Sequence, residues 1–310
     1  MKKVGQISLR DEMSINELVE EYKKAGVLGA GSLAAASDIF EEMLLKKATI
    51  FLGLSGPLTA SGLRNIITDM VNSNYAHVIV TSGANAVHDM VEAFHGRHYI
   101  GSFSTDDVEL RRKKIGRIGN VFAKFSDFEV FEKEVQKIFS SMEENKRKNL
   151  SVKELLWEIG SKIKDKNSFL RAAYKHRIPI FAPAITDSML GLQLFFFSQK
   201  QELVLNVVKD MNDLADTVFA AKKTGAVILG GGVPKHYILG ANLLRNGIDY
   251  GIQITMDREE AGSLSGAKLE EGMSWGKVKA KSNLVTVIGD TTVLFPLLVA
   301  SVTERMHAKK

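Results

Sequence analysis

The chain has 310 residues, 45% of them apolar and 25% charged, and 41 Lys and Arg against 36 Asp and Glu leave a net charge of +5. Those proportions belong to a folded globular protein and exclude a disordered chain. There is no Cys, which excludes disulfides, thiolate metal sites and cysteine nucleophiles together.

The longest apolar stretch, residues 293–302, is about half what a bilayer crossing needs, and residues 1–10 contain no apolar signal core. A cytoplasmic protein with no membrane partner is expected. The mild positive charge suits an acidic partner without requiring nucleic acid.

Residues 13–24 read as a first amphipathic helix, with Ser14 as its cap and Leu18, Val19 and Tyr22 at helical spacing. Residues 34–47 read as a second. Short β-rich runs then recur at 48–54, 77–81, 179–182, 226–229, 250–255 and 284–288, each closing on small or polar residues. Continuous apolar strands separated by helices predict an α/β fold with a doubly wound, mostly parallel sheet covered on both faces. Its ligand would lie outside the carboxyl ends of the strands. Residues 126–176 interrupt the pattern with a long, charged, helical stretch, read as a solvated excursion. With no Pro-rich or Gly/Ser-rich linker, a single domain over 1–310 is expected, with a helical extension over 1–47 and a helical insertion over 126–176.

Gly29-Ala30-Gly31-Ser32-Leu33-Ala34 fits a dinucleotide fingerprint as a string, but no strand precedes it, so it reads as a helix-ending glycine and a new cap. Gly230-Gly231-Gly232 is the better candidate, because it follows an apolar strand and precedes a helix starting near Lys235. A tight strand–helix turn is the competing reading. Of the seven histidines, His77, His95, His98, His176 and His307 fall where surface or packing roles are the default. His88 and His236 each stand shortly after a strand end, where a ring can reach a ligand. No tight metal-ligand spacing occurs, and no catalytic metal is expected.

The densest constellation is Gly262-Ser263-Leu264-Ser265-Gly266-Ala267, followed by Glu271 and Ser274-Trp275-Gly276-Lys277. Tryptophan beside a carboxylate is a natural seat for an amine, through cation–π attraction and an ion pair. A lysine partly desolvated against such a wall loses proton affinity and can form a Schiff base. A surface turn with a solvated Lys is the alternative.

Ser274-Trp275-Gly276-Lys277, Gly230-Gly231-Gly232-Val233-Pro234-Lys235-His236 and Asn242-Leu243-Leu244-Arg245-Asn246-Gly247 together resemble deoxyhypusine synthase. Phe51-Leu52-Gly53, Arg117-Ile118-Gly119-Asn120, Ile185-Thr186-Asp187 and Leu294-Phe295-Pro296-Leu297-Leu298-Val299-Ala300 extend the resemblance in order from about residue 14 to about 302.

The resemblance implies a Rossmann-like fold and an NAD-dependent transferase, the enzyme of the first step of hypusine formation. It would move the aminobutyl group of spermidine to a lysine of the translation initiation factor 5A precursor. NAD would accept the hydride and 1,3-diaminopropane would leave. Lys277 matches the family's imine-forming lysine and His236 the histidine beside the polyamine. Glu271 and Trp275 match the acid and aromatic that seat the polyamine, with Gly231, Gly262, Ser263, Leu264 and His88 also implied at that site. Gly56, Pro57, Leu58, Thr59, Ala60, Ser82, Gly83, Ala84, Asp187, Met256, Asp257, Asp290 and Thr291 would hold NAD. Homotetramers with active sites shared between subunits are implied as well.

Relative to the eukaryotic pattern, Leu264, Leu192, Ala261, Val87 and His88 replace acids. Gly-Ser-Leu-Ser-Gly is the form seen in archaeal relatives, and His88 would need to be neutral beside a cation. These departures leave open an aminobutyl transferase acting on a small amine, as in homospermidine synthesis. A non-catalytic NAD-binding paralogue is a further alternative.

Overall fold

In the computed structural model, which describes residues 1–309, Ser14 opens the first helix, Ile15–Ala25, with a capping box. Its hydroxyl accepts from Glu17 N at 3.2 Å while the Glu17 carboxylate accepts from Ser14 N at 2.8 Å. Gly26, at φ 66°, ends that helix, and the next, Leu28–Leu45, begins two residues later. Residues 29–34 therefore lie inside the second helix rather than at a helix end, which corrects that expectation. A Cβ at Gly31 would sit 2.6 Å from the carbonyl carbon of Gly26, so glycine there lets the two helices meet closely.

Among the described residues the strands are β1 (Thr49–Leu54), β2 (Val78–Thr81), β3 (His98–Ile100), β4 (Ile115–Ile118), β5 (Val121–Lys124), β6 (Ile180–Phe181), β7 (Thr224–Leu229), β8 (Ile248–Thr255) and β9 (Val278–Ile288). The six apolar runs read from the sequence are β1, β2, β6, β7, β8 and β9, although β9 begins earlier than expected. The chain divides into two compact units. Met1–Ser55, Tyr75–Val80 and the chain from Asp213 onward form the first; Gly56–Asn74 and Thr81–Asn212 form the second.

The first unit carries the strand order β2-β1-β7-β8-β9, with β1–β7, β7–β8 and β8–β9 all parallel. This is the mostly parallel α/β sheet that the continuous apolar runs predict; every residue of β7 is buried. Ile50 pairs with Gly225, where a Cβ would meet Met43 of Leu28–Leu45 at 2.6 Å. Gly53 pairs with Ile228, and a Cβ at Gly53 would meet Ile238 of the helix Gly232–Ala241 at 3.0 Å. Ile50 and Gly53 differ in strand parity, so these two helices cover opposite faces. The N-terminal helices are thus part of the core. Arg305, nearly buried, locks them to the last helix, Thr291–His307, through Glu20 at 2.7 Å, Asp38 at 2.8 Å and Glu41 at 3.1 Å.

The second unit contains a three-stranded antiparallel sheet, β3-β5-β4, that the sequence reading does not anticipate. Residues 126–176 are helical as expected, in Phe125–Ser141, Glu144–Arg147, Val152–Lys162 and Phe169–His176. They are not a solvated excursion, however: Phe131, Phe139, Leu155, Ile159 and Phe169 are wholly buried and build this unit's core. The charged residues between them occupy the outer faces of amphipathic helices. Asp89, also wholly buried, accepts from Arg64 Nε at 2.6 Å, Ser168 Oγ at 2.6 Å and Leu170 N at 3.1 Å.

Candidate active site

Four strands of the first unit end side by side. Ser55 N donates to Leu229 O at 3.0 Å, Gly230 N to Ile254 O at 2.8 Å, and Gly289 N to Thr255 O at 2.9 Å. Gly230, Met256-Asp257 and Asp290-Thr291 therefore line neighbouring carboxyl edges, where an open parallel sheet takes its ligand. Met256 and Asp257 are exposed there. Asp290 caps the helix Thr291–His307, its carboxylate accepting from Thr292 N and Oγ1, each at 2.7 Å.

The three glycines make the turn from β7 into the helix Gly232–Ala241, which starts three residues before the expected Lys235. Gly230 sits at φ 78°, a left-handed conformation that side chains resist. A Cβ on Gly231 would lie 2.4 Å from Ser265 Cα, so the turn and the 262–267 loop touch backbone to backbone. Gly232 N donates to Ser265 Oγ at 3.1 Å, and Ser55 Oγ donates to Gly231 O. Gly262, Ser263 and Leu264 belong to this same loop, so the sequence-predicted members of the two glycine-rich motifs are brought together.

Lys235 and Gln253, which sequence reasoning missed, hold this assembly from beneath. Lys235 is 1% exposed, and its Nζ donates to Gln253 Oε1 and Leu264 O, each at 2.9 Å, and to Ala267 O. Gln253 Nε2 donates to Gly230 O at 2.9 Å and Ser265 O at 2.8 Å. Burial pushes the Lys235 amine down to about 8, against the opposing pull of Glu271 and Glu270. The one available signal was a glutamine amid the apolar run of β8.

Lys277 follows a 3₁₀ turn, Leu269–Met273, anchored by the buried Leu269 and Gly272, and the left-handed Gly276 at φ 68°. Its backbone is fixed at the amino end of β8: Lys277 N donates to Gly272 O at 2.9 Å, and Ile248 N donates to Lys277 O at 3.1 Å. Its amine reaches back to His236, with Nζ 3.3 Å from Nε2, and stands 5.7 Å from the Trp275 ring centroid. His236 and Trp275 are exposed, Trp275 by 68%. An amine against an imidazole nitrogen can pass a proton to it, and the indole face is open to a ligand cation. Glu271 is exposed on the preceding turn, and its carboxylate makes no hydrogen bond or ion pair among the described residues. Lys277, His236 and Trp275 thus form one group. The backbone of Lys277 is not at the carboxyl edge with Met256, Asp257, Asp290 and Thr291; it lies a strand's length away.

In the second unit, Ser82 precedes the helix Gly83–Ala93 without a side-chain cap. A Cβ at Gly83 would lie 2.6 Å from the Ser188 side chain, which puts the turn holding Asp187 beside Ser82, Gly83 and Ala84. Thr59 N and Oγ1 donate to Asn85 Oδ1 at 3.1 and 3.0 Å, bringing the Gly56–Ala60 stretch to the same helix. Thr59 and Ala60 also line a polar cavity of about 670 Å³ with Arg64, Glu92, Arg97 and His98. Asn85 joins these elements and was missed by sequence. His88 is almost fully buried on this helix, its Nδ1 2.9 Å from His98 Nε2, and burial next to His98 pushes it down to about 4. His98, assigned a bland role from sequence, is its partner.

A family model described as deoxyhypusine synthase matches residues 17–302. A Methanothermobacter thermautotrophicus protein named "Probable deoxyhypusine synthase" is 48% identical over 299 residues, 96% of each chain. A Methanosarcina mazei protein named "Probable deoxyhypusine synthase 1" is 42% identical over 299 residues, 96% of this chain and 93% of its own. A solved Entamoeba histolytica structure described as a deoxyhypusine synthase aligns with a TM-score of 0.70 at 22% identity, covering 96% of this chain and 95% of that one. The ternary complex of AgrE with ornithine and NAD+ aligns at a TM-score of 0.54 and 11% identity, over 97% of this chain and 35% of that one. The last two show likeness of fold alone. Matched across nearly its whole length by the family model and by relatives well above 30% identity, the chain belongs to the deoxyhypusine synthase family.

Proposed function

We propose that this chain is an NAD-dependent transferase that moves the aminobutyl group of spermidine to one lysine of the translation initiation factor 5A precursor, with Lys277 as covalent carrier. The observation that carries this reading is the 3.3 Å approach of Lys277 Nζ to His236 Nε2 beside an open indole face. A lysine must be neutral to attack, and His236 can take its proton. Lys277 Nζ then bonds to the imine carbon of the four-carbon unit, and 1,3-diaminopropane leaves with the proton held by His236. The acceptor lysine attacks the same carbon, the bond to Lys277 breaks, and the freed amine recovers a proton. Trp275 lays a flat face along the alkylammonium chain, and Glu271 supplies the counter-charge.

NAD, when bound, would supply the redox chemistry at both ends of this transfer, accepting the hydride whose removal from spermidine gives the imine carbon and returning it to that carbon once it is on the acceptor lysine. Within the first unit, Asp257 and Asp290 at the carboxyl edge of the parallel sheet suit its ribose hydroxyls. The NAD+ bound in AgrE, a protein of similar fold, supports the same cofactor here. We further assign a cytoplasmic homotetramer with shared sites. The separation between the Lys277 backbone and the carboxyl edge of its own sheet supports a site completed by a second copy.

The test is intact mass of the factor 5A precursor after incubation with the protein, NAD and spermidine. A gain of one aminobutyl unit is expected. Absence of that gain, or the gain appearing on a small amine instead, would overturn the reading.

A further inference from the structure

At the amino ends of β7, β8 and β9 stands an ion-pair cluster, Arg245, Asp249 and Lys279, that the reaction outlined above does not use. Asp249 Oδ2 accepts from Arg245 Nη1 and Asp249 Oδ1 from Lys279 Nζ, each at 2.6 Å. The same carboxylate accepts from Thr224 N, at the first residue of β7, at 2.9 Å. Arg245 is largely buried and also donates to Thr224 Oγ1 at 2.7 Å and to Lys222 O at 3.1 Å. Burial works against the charge on Asp249, but the bonds from Lys279 and Arg245 outweigh it and hold the carboxyl below its usual range.

Asp249 stands opposite a break in the ladder. Ile248 pairs with Val278 and Tyr250 with Asn283, so residues 279–282 of β9 bulge out against Asp249 alone. The bulge cuts Val278, and Lys277 just before it, off from the regular pairing that runs from Tyr250 to Thr255. The holds on Lys277 therefore lie on the near side of the bulge. Ile248 N donates to Lys277 O at 3.1 Å, and Ser282 Oγ donates to Ile248 O at 2.6 Å. A Cβ at Gly247 would lie 2.7 Å from Val278 N, so the two backbones abut. Asp249 grips Lys279, two residues past Lys277, and is itself fixed to β7 through Thr224 and Arg245. The other backbone bond of Lys277, from its N to Gly272 O at 2.9 Å, is local to the preceding turn.

We propose that Asp249 is a positioning residue for Lys277: by pinning Lys279 and Arg245 it fixes the start of β9 so that the Lys277 amine stands against His236. This rests on the reading of Lys277 as the covalent carrier. The amine ends a long flexible stem, so a loosened backbone forfeits the 3.3 Å approach to His236 Nε2. Misplacing a reacting group by about 1 Å slows chemistry by as much as about 100-fold.

The test compares Asp249→Asn, Lys279→Met, the double variant and Lys279→Arg with the wild type. Asparagine fills the same space without the charge, and arginine at 279 keeps the ion pair. Single-turnover formation of the borohydride-trapped adduct, at saturating NAD and spermidine and per folded chain, should slow on the order of tenfold in Asp249→Asn and in Lys279→Met. Spermidine KM and NAD affinity should keep their wild-type values, and Lys279→Arg should keep the wild-type rate. The double variant should be no slower than the slower single one, because each change removes the same clamp. A second readout needs no substrate. Limiting acetic anhydride labels amines, and peptide mass gives the labelling of Lys277 relative to the exposed Lys133 of the second unit. That ratio should fall in Asp249→Asn. If Asp249→Asn does not fold, Lys279→Met, at a side chain 33% exposed, carries both measurements. A wild-type adduct rate or an unchanged labelling ratio in the folded variant overturns the proposal, as does a double variant whose defects multiply. If the ratio falls as expected but the wild type leaves factor 5A unmodified, the clamp stands and the functional reading fails.

Discussion

Lys235 and Gln253 meet inside the first unit at 2.9 Å, and between them they satisfy four backbone carbonyls, those of Gly230, Leu264, Ser265 and Ala267. Three of these acceptors belong to the 262–267 loop and one to the glycine turn, so the pair ties together both motifs of the candidate active site. Lys235→Met keeps the length of the side chain but leaves buried acceptors without donors. We expect a loss of about 3 kcal/mol in urea unfolding. The 262–267 loop should also become a site of early proteolysis while distant loops stay resistant. Unchanged stability would mean that water replaces the amine at little cost.

The close approach at Gly231 makes a sharper prediction. The nearest atom to a new Cβ is Ser265 Cα at 2.4 Å, which is backbone and cannot rotate away. Gly231→Ala should therefore push the loop off the helix Gly232–Ala241 and lower kcat/KM at least tenfold. Gly240→Ala is the control, since nothing lies within 4 Å of a Cβ there and alanine favours a helix. Equal activities in the two variants would show that the loop contact is irrelevant to function.

Burial makes His88 a pH-dependent element of stability. Its ring is held near 4, whereas the unfolded chain binds that proton near 6.5. Between these values the unfolded state carries more protons, so stability falls as pH drops from 6.5 toward 4 and is constant above 6.5. The full shift corresponds to about 3 kcal/mol. His77, also lowered by burial, contributes in the same direction. Thermal midpoints measured at pH 7.5, 6 and 5 should fall more steeply for the wild type than for His88→Asn. Parallel curves would exclude the contribution of this ring.

Much of the first unit could be read from sequence because a strand buried on both faces, as in β7, is an unbroken apolar run whatever surrounds it. Lys277 and Trp275 stand out in the sequence as part of a dense local motif and His236 by its place after a strand end, and the folded chain brings the three side chains together. The β3-β5-β4 sheet could not be read so: its strands are three or four residues long, half-exposed, and broken by Gly116. The buried faces of residues 126–176 were hidden because their charged residues outnumber the apolar ones that do the packing. Lys235 was illegible for a different reason. Its acceptors come from positions 253, 264 and 267, and only the folded chain shows that a lysine next to His236 points inward.

The role of Lys277 can be tested apart from overall turnover. Arginine at 277 keeps the positive charge and much of the length, but its guanidinium stays protonated and cannot become a nucleophile. Lys277→Arg should therefore bind NAD as the wild type does, by calorimetry, while losing the covalent adduct that borohydride traps from protein, NAD and spermidine. His236→Gln addresses the 3.3 Å contact separately. It leaves the nucleophile in place but removes the proton acceptor, so the adduct should still form, about 100-fold more slowly, with recovery as pH rises. The recovery follows from the sign of the defect, since a lysine without a neighbouring base must lose its proton to solvent, and alkaline pH favours that loss. Trapping that persists in Lys277→Arg would remove Lys277 from the chemistry. A His236→Gln rate that does not climb with pH would show that the histidine serves only to place the amine.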